Sequence, residues 1–126
     1  MMIGDLLQRA QFAALSAAQL RAYDTPPADA EFPYVTIGDE QIVDDGSACG
    51  AAWEVFADVH VWSRAVSGSR SELKTLMAQI EPLLGGLSLP GFRVVVQHLQ
   101  TARALNDPDG LTKHGVMTFR YLIDPA

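Results

Sequence analysis

The residues best suited to chemistry in this sequence are the oxygen-rich run Asn106-Asp107-Pro108-Asp109-Gly110, three histidines (His60, His98 and His114) and a single cysteine, Cys49. The first could begin a calcium loop. Such a loop needs oxygens at fixed alternate positions, a bidentate Glu at its end and a helix on each side. Here Pro108 fills an inner slot and no Glu follows Asp109. Pro-Asp-Gly is instead a turn: proline presets φ, aspartate bonds nearby backbone and glycine accepts φ > 0. The run is therefore expected to join two strands. The histidines stand on or beside three different predicted strands, with no HxH or HxxxH spacing, and are expected as polar-face or strand-end residues without zinc. Cys49 has no histidine near it in sequence and reads as an exposed thiol. The glycines form neither G-x-x-x-x-G-K nor G-x-G-x-x-G, and no G-x-S-x-G elbow occurs, so no nucleotide cradle or hydrolase nucleophile is indicated. No catalytic, cofactor or metal residues are expected.

The elements that would position these residues alternate simply. Ile3, Leu6, Leu7, Ala10, Ala13 and Ala14 make one helical stripe. Ser16 is expected to cap a short turn, Ala17 to Ala22, before Pro26-Pro27 bars further helix. Phe32 to Val43 reads as a strand, with Pro33 near its start where a missing donor is tolerated. Ala51 to Arg64 is the clearest strand, because Trp53, Val55, Ala57, Val59 and Val61 alternate on one face. Ser69 to Leu84 is the best helix, carrying Leu73, Leu76, Met77, Ile80, Leu83 and Leu84 on one side. A Ser69/Glu72 capping box should open it, Pro82 should distort its last turn and Gly85-Gly86 should stop it. Phe92 to Leu105 and Val116 to Ile123 are the remaining strands, joined by the NDPDG turn.

Two features lie outside the expected core. Phe56 and Trp62 share the even face of the second strand with Glu54, Asp58, His60 and Arg64. Either a local helix or loop covers them, or another subunit does, since aromatics and arginine are enriched at interface cores. Phe56, Trp62 and Arg64 are thus candidate subunit-interface residues. The loop after the first strand, with Asp44, Asp45, Gly46, Ser47 and Cys49, has nothing apolar beyond alanine and cysteine. It is expected to be mobile and to order against a partner.

Composition narrows the function classes. The chain has 126 residues, 48% of them hydrophobic, which suits one domain over residues 1–126 with one core. Its net charge is −6, and nine Lys and Arg are scattered singly, so no stripe can neutralise phosphates. One cysteine permits no internal disulfide and points to a reducing compartment. Asp5, Gln8 and Arg9 interrupt the N-terminal apolar run, which reads as a retained helix rather than a signal peptide.

Several stretches together resemble a known family. They are Tyr23-Asp24 with Pro26-Pro27, Pro33-Tyr34-Val35 leading to Ile37-Gly38, Val61-Trp62-Ser63-Arg64 before the second helix, and Asp107-Pro108-Asp109-Gly110 with His114-Gly115 before the last strand. In this order and spacing the chain is similar to the tail-completion or tail-terminator (head–tail joining) proteins of long-tailed phages, prophages and gene-transfer agents. The resemblance implies a structural virion protein with no catalytic residues. Such proteins form a ring, usually of six copies, on the head-proximal end of the tail tube. The ring ends tube polymerisation, meets the neck of the capsid and lets DNA through without binding it specifically. The partners implied are copies of the chain, a tail-tube protein and a head–neck connector. The implied location is the virion or a phage-like particle, after assembly in the host cytoplasm. An acidic chain suits a DNA conduit.

The expected fold is α+β: a four-stranded, mostly antiparallel sheet of two hairpins, with two main helices packed on one face, in the order α-β-β-α-β-β. A small-molecule-binding or enzymatic domain is the competing reading and would require a closed pocket with convergent polar groups. A regulatory dimer comes last, since no basic or partner-helix surface is visible.

Overall fold

A computed structural model describes residues 3–126. Two helices and five strands follow the order α1 (Ile3–Ala17), β1 (Ala22–Tyr23), β2 (Tyr34–Asp44), β3 (Trp53–Ser63), α2 (Ser71–Leu84), β4 (Phe92–Asn106) and β5 (Lys113–Pro125). The strands form one mixed sheet in the order β1-β2-β3-β5-β4. The two expected hairpins are present, and they meet through β3 and β5, which pair from Trp53↔Ile123 to Ser63↔Lys113. The four-stranded expectation is corrected by β1, which pairs in parallel with β2 through Ala22↔Val35 and Tyr23↔Thr36. Two residues are too few to carry a period, so nothing in the local pattern announces this strand.

The first helix also departs from expectation. Ser16 lies inside α1 instead of capping a later turn. The chain leaves the helix at Gln19, in the left-handed region at φ 63°, with Leu20 N–H donating to Leu15 O. Four-residue steps bury Ile3, Leu7, Gln11 and Leu15, whereas Ala13 is exposed. Gln11 belongs to the stripe because its amide reaches Tyr121 Oη at 3.5 Å. That hydroxyl in turn donates to Leu84 O at 2.7 Å. Burial raises the Tyr121 phenol pKa well above its ordinary value, so it stays a neutral donor.

The second helix buries Leu73, Met77, Ile80 and Leu84 as the spacing foretells. Its start does not use the Ser69/Glu72 box. Arg70 occupies the cap position without a side-chain bond. Ser69 Oγ instead accepts from Ser71 N–H, while Glu72 turns to the sheet and accepts from Ser63 Oγ at 2.6 Å. Pro82 sits exposed within the last turn, and the helix continues to Leu84. The helix then ends with Gly85 N–H bonded to Glu81 O.

Both helices cover one face of the sheet. Beneath them lie Val55, Ala57, Val59 and Val61 of β3 and Met117, Phe119, Tyr121 and Ile123 of β5, all buried. Among the described residues the opposite face carries no helix, and its β3 and β5 residues are half-buried.

Candidate interaction surface

Because side chains alternate along a strand, each β3 residue on the helix-free face meets a β5 residue on the same face. Glu54 reaches Arg120, with Nε to Oε2 at 2.7 Å. Thr118 Oγ1 donates to Asp58 Oδ1 at 2.6 Å. Two registers further on, His60 Nδ1 and His114 Nε2 are 2.7 Å apart. A contact this short between imidazoles needs one N–H donor and one lone-pair acceptor. The His114 ring also stacks on Trp62, with centroids 3.9 Å apart and planes 8° from parallel. Trp62 Nε1 donates to Thr36 Oγ1 at 3.1 Å, and the indole faces Tyr34 at 6.3 Å. Phe32 and Tyr23 pack on Tyr34. The result is an aromatic band running from β1 to β5.

Gly38 makes room for this band. A Cβ there would lie 2.7 Å from His60 Cδ2 and 2.9 Å from Asp58 O, closer than such atoms approach. Around His114, burial is the main effect and a positive charge on His60 the second; both push its pKa below the ordinary histidine value, and Asp107 opposes them.

The NDPDG run is a turn between β4 and β5. Asp107 N–H donates to Thr112 O, Gly110 N–H donates to Asp107 O, and Gly110 adopts φ 74°. The Asp109 carboxylate accepts from the Thr112 N–H and hydroxyl and from the Leu111 N–H. With those bonds leading, and Arg64 beside it, its pKa falls to about 2. The Asp109 carboxylate is thus engaged by the turn itself. Among the described residues no group of three or more His, Cys, Asp and Glu could hold a metal ion.

The three interface candidates are placed differently. Phe56 stands half-buried on the helix-free face between Gln41 of β2 and Arg120 of β5. Trp62 is engaged in the aromatic band. Arg64 is already held: its guanidinium donates to Thr112 Oγ1 and Asp109 Oδ2 and lies 4.5 Å from the Phe32 ring centroid. It clamps the turn to the β2 entry. Among the described residues both helices lie on the other face from Phe56, whereas other side chains of the chain pack against Trp62. The loop candidates extend the β2–β3 hairpin. Asp45 N–H bonds Ala52 O, Ser47 and Gly50 bridge, Gly46 N–H bonds Asp44 Oδ1, and Cys49 is exposed.

The histidine expectation needs amending: His98 stands alone on β4, but His60 and His114 converge. His60 lies within β3 on its polar, helix-free face, one of the two expected placements. These residues are 54 apart in sequence, and only the β3–β5 register joins them. Alternation on the two strands was readable; their register was not.

For a small molecule, one cleft of about 180 Å³ is lined by Gln19, Leu20, Arg21, Pro33, Tyr34, Val35 and Leu76. Its one charged side chain, Arg21, already donates to Glu31 O and Phe32 O.

Comparison with known proteins agrees with this geometry. Residues 2–124 match the family model described as tail completion protein gp17. The tail completion protein gp17 of Bacillus phage SPP1 is 29% identical over 103 residues, covering 80% of this chain and 75% of that protein. Its solved structure superposes with a TM-score of 0.64 at 25% identity, over 96% of this chain and 91% of that one. A chain in the virion of a native gene transfer agent particle shares the fold more closely, with a TM-score of 0.79 at 20% identity over 96% of each chain.

Proposed function

The chain belongs to the tail completion protein gp17 family, a structural component of phage tails, and we propose that it completes a tail by forming a ring on the head-proximal end of the tube. The ring, of about six copies by family resemblance, stops tube polymerisation and offers the neck of the capsid a surface to bind. It acts without catalysis. The observation that favours assembly over ligand binding is the helix-free sheet face. A half-buried aromatic band crosses it, and Phe56 stands on the same face with no described helix above. A neighbouring subunit is the cover we assign to Phe56 and Trp62. Arg64 holds the adjoining turn in shape and reaches that neighbour only at its exposed edge.

A closed ring needs two different surfaces on each copy, joined head to tail. Phe56 lies in the first half of β3 and the Trp62–His114 stack at its end, so the two patches differ in position along the strand. The hairpin tip, Asp44 to Cys49, is the part we assign to the tube or neck protein. With a net charge of −6, a ring lumen would not hold DNA phosphates, so the genome slides through.

Light scattering across a concentration series, alone and with purified tail tubes, tests this. A mass near six subunits, or monomers that gather only at tube ends, is expected. A monomer or dimer indifferent to tubes would overturn the ring. Trimming the hairpin tip should lengthen tails or impair head joining, and normal particles would remove that part of the proposal.

A further inference from the structure

Both outer edges of the sheet carry an unpaired stretch, and the two stretches match. Beyond its two pairs with β1, no described strand lies against the open side of β2, and none lies against the open side of β4. Exposed edges of this kind are templates for another chain, and bulges are a common way to blunt them. β4 is interrupted by register shifts at Val94/Val96 and Leu99/Thr101, which leaves Thr101–Asn106 as its longest regular run. β2 is interrupted between Ile37 and Glu40, which leaves Glu40–Asp44. Thr101, Ala102 and Arg103 are all exposed, although alternate residues point to opposite faces, so this run projects clear of the helices. Glu40, Gln41, Val43 and Asp44 are exposed as well.

Charge and direction also agree. Thr101–Asn106 contains Arg103 and no acid, while Glu40–Asp44 contains Glu40 and Asp44 and no base. By register Arg103 lies on the helix-free face and Glu40 and Asp44 on the helix face, so the opposite charges attract across such an edge without meeting as a pair. All pairings among β2, β3, β5 and β4 are antiparallel, so β2 and β4 run in opposite directions. A copy rotated about an axis along the strands keeps its strand direction. Its β2 therefore arrives antiparallel to the first copy's β4, which is the pairing that continues the sheet.

We propose that copies of this chain join by strand addition, the Thr101–Asn106 edge of one pairing with the Glu40–Asp44 edge of the next. The proposal rests on the ring reading and says which contact closes it. Main-chain hydrogen bonds supply the join, and on the helix-free face the flanking side chains, Gln41 and Phe56 on one copy and Leu105 and His114 on the other, are brought to the seam. The two runs lie about five residues apart along the strand direction, or roughly 17 Å. Ring closure then tilts the strands to the axis, as in any staggered barrel.

Hydrogen exchange on the assembled chain against the free chain is the direct test, because the join is made of backbone groups. Amides in both runs should slow by about tenfold or more on assembly. A ring whose two runs exchange as fast as in the free chain overturns strand addition and leaves the ring standing. Protection of one run alone also overturns it, since that is the signature of a foreign strand. A chain that never assembles, alone or on tube ends, removes the ring and the join together.

Discussion

Under the helices, Val55 meets Tyr121, Ala57 meets Phe119 and Val59 meets Met117, and every one of these side chains is buried. One residue further along each strand, Phe56 meets Arg120, Asp58 meets Thr118 and His60 meets Val116, and all are half-buried. The same two strands thus carry two different kinds of information. The helix face is apolar, closed and satisfied within the chain, so it specifies the fold. The open face is polar and aromatic, joined by cross-strand bonds, and its large side chains still present surface. On the proposed assembly, a residue's face decides whether its loss is felt as lost stability or as lost assembly.

The largest expected effect sets the two faces against each other directly. Phe119→Ala removes a fully buried ring and should destabilise the chain by about 3–5 kcal/mol in urea unfolding. Phe56→Ala, on the open face one register away, should cost about 1 kcal/mol or less, yet reduce association in light scattering. Equal losses of stability from the two would erase the distinction between the faces. So would full assembly by the Phe56 variant.

A smaller effect sharpens the helix face. Tyr121→Phe keeps the ring and deletes only the hydroxyl shared by Leu84 O and Gln11. A buried carbonyl loses its partner, which should cost about 1–3 kcal/mol, with association per folded molecule unchanged. A variant as stable as the parent would mean that water replaces the hydroxyl there.

This pair also shows what the sequence could convey. The alternation of β3, the stripe of α2 and the Pro-Asp-Gly turn are local patterns, and each is present where its period or turn chemistry placed it. Gln11 escaped because a polar residue on an apolar stripe looks like an interruption until its partner, 110 residues away, is known. β1 escaped because two residues hold no period. The capping box failed because Glu72 found a better partner in Ser63, on a strand the local motif does not contain. For the candidate site, the aromatics Phe56 and Trp62 were readable as surplus to the core. The His60–His114 contact was not, because it depends on register. Family resemblance supplied the tail role that side-chain chemistry alone could not.

The next effect belongs to the open face. Gly38→Ala places a methyl 2.7 Å from the His60 ring, against backbone as well, so the ring must shift. A cost of about 1–2 kcal/mol is expected, with the His60 and His114 ring resonances moving together in NMR. A shift confined to His60 would show that the two rings are independent.

The smallest effect separates the faces by pH. The folded His114 pKa lies below its unfolded value, chiefly through burial and then through the charge of His60. The unfolded chain therefore binds a proton first as pH falls. Stability should be complete above the unfolded value of about 6.5 and decline as pH drops from there toward the lower folded value. The decline corresponds to no more than one proton, because one group is involved. The charged or titratable groups around the pair are Asp58 on β3, Asp107 in the turn, Lys113 on β5 and Tyr34 on β2. His114→Gln keeps a polar side chain and should flatten the slope between pH 7 and 5.5 in urea midpoints. His98→Gln, on a histidine that stands apart, should leave the slope as it was. If both variants flatten it equally, the slope arises from overall charge rather than from the paired rings. The open face would then be no more pH-sensitive than the rest of the surface.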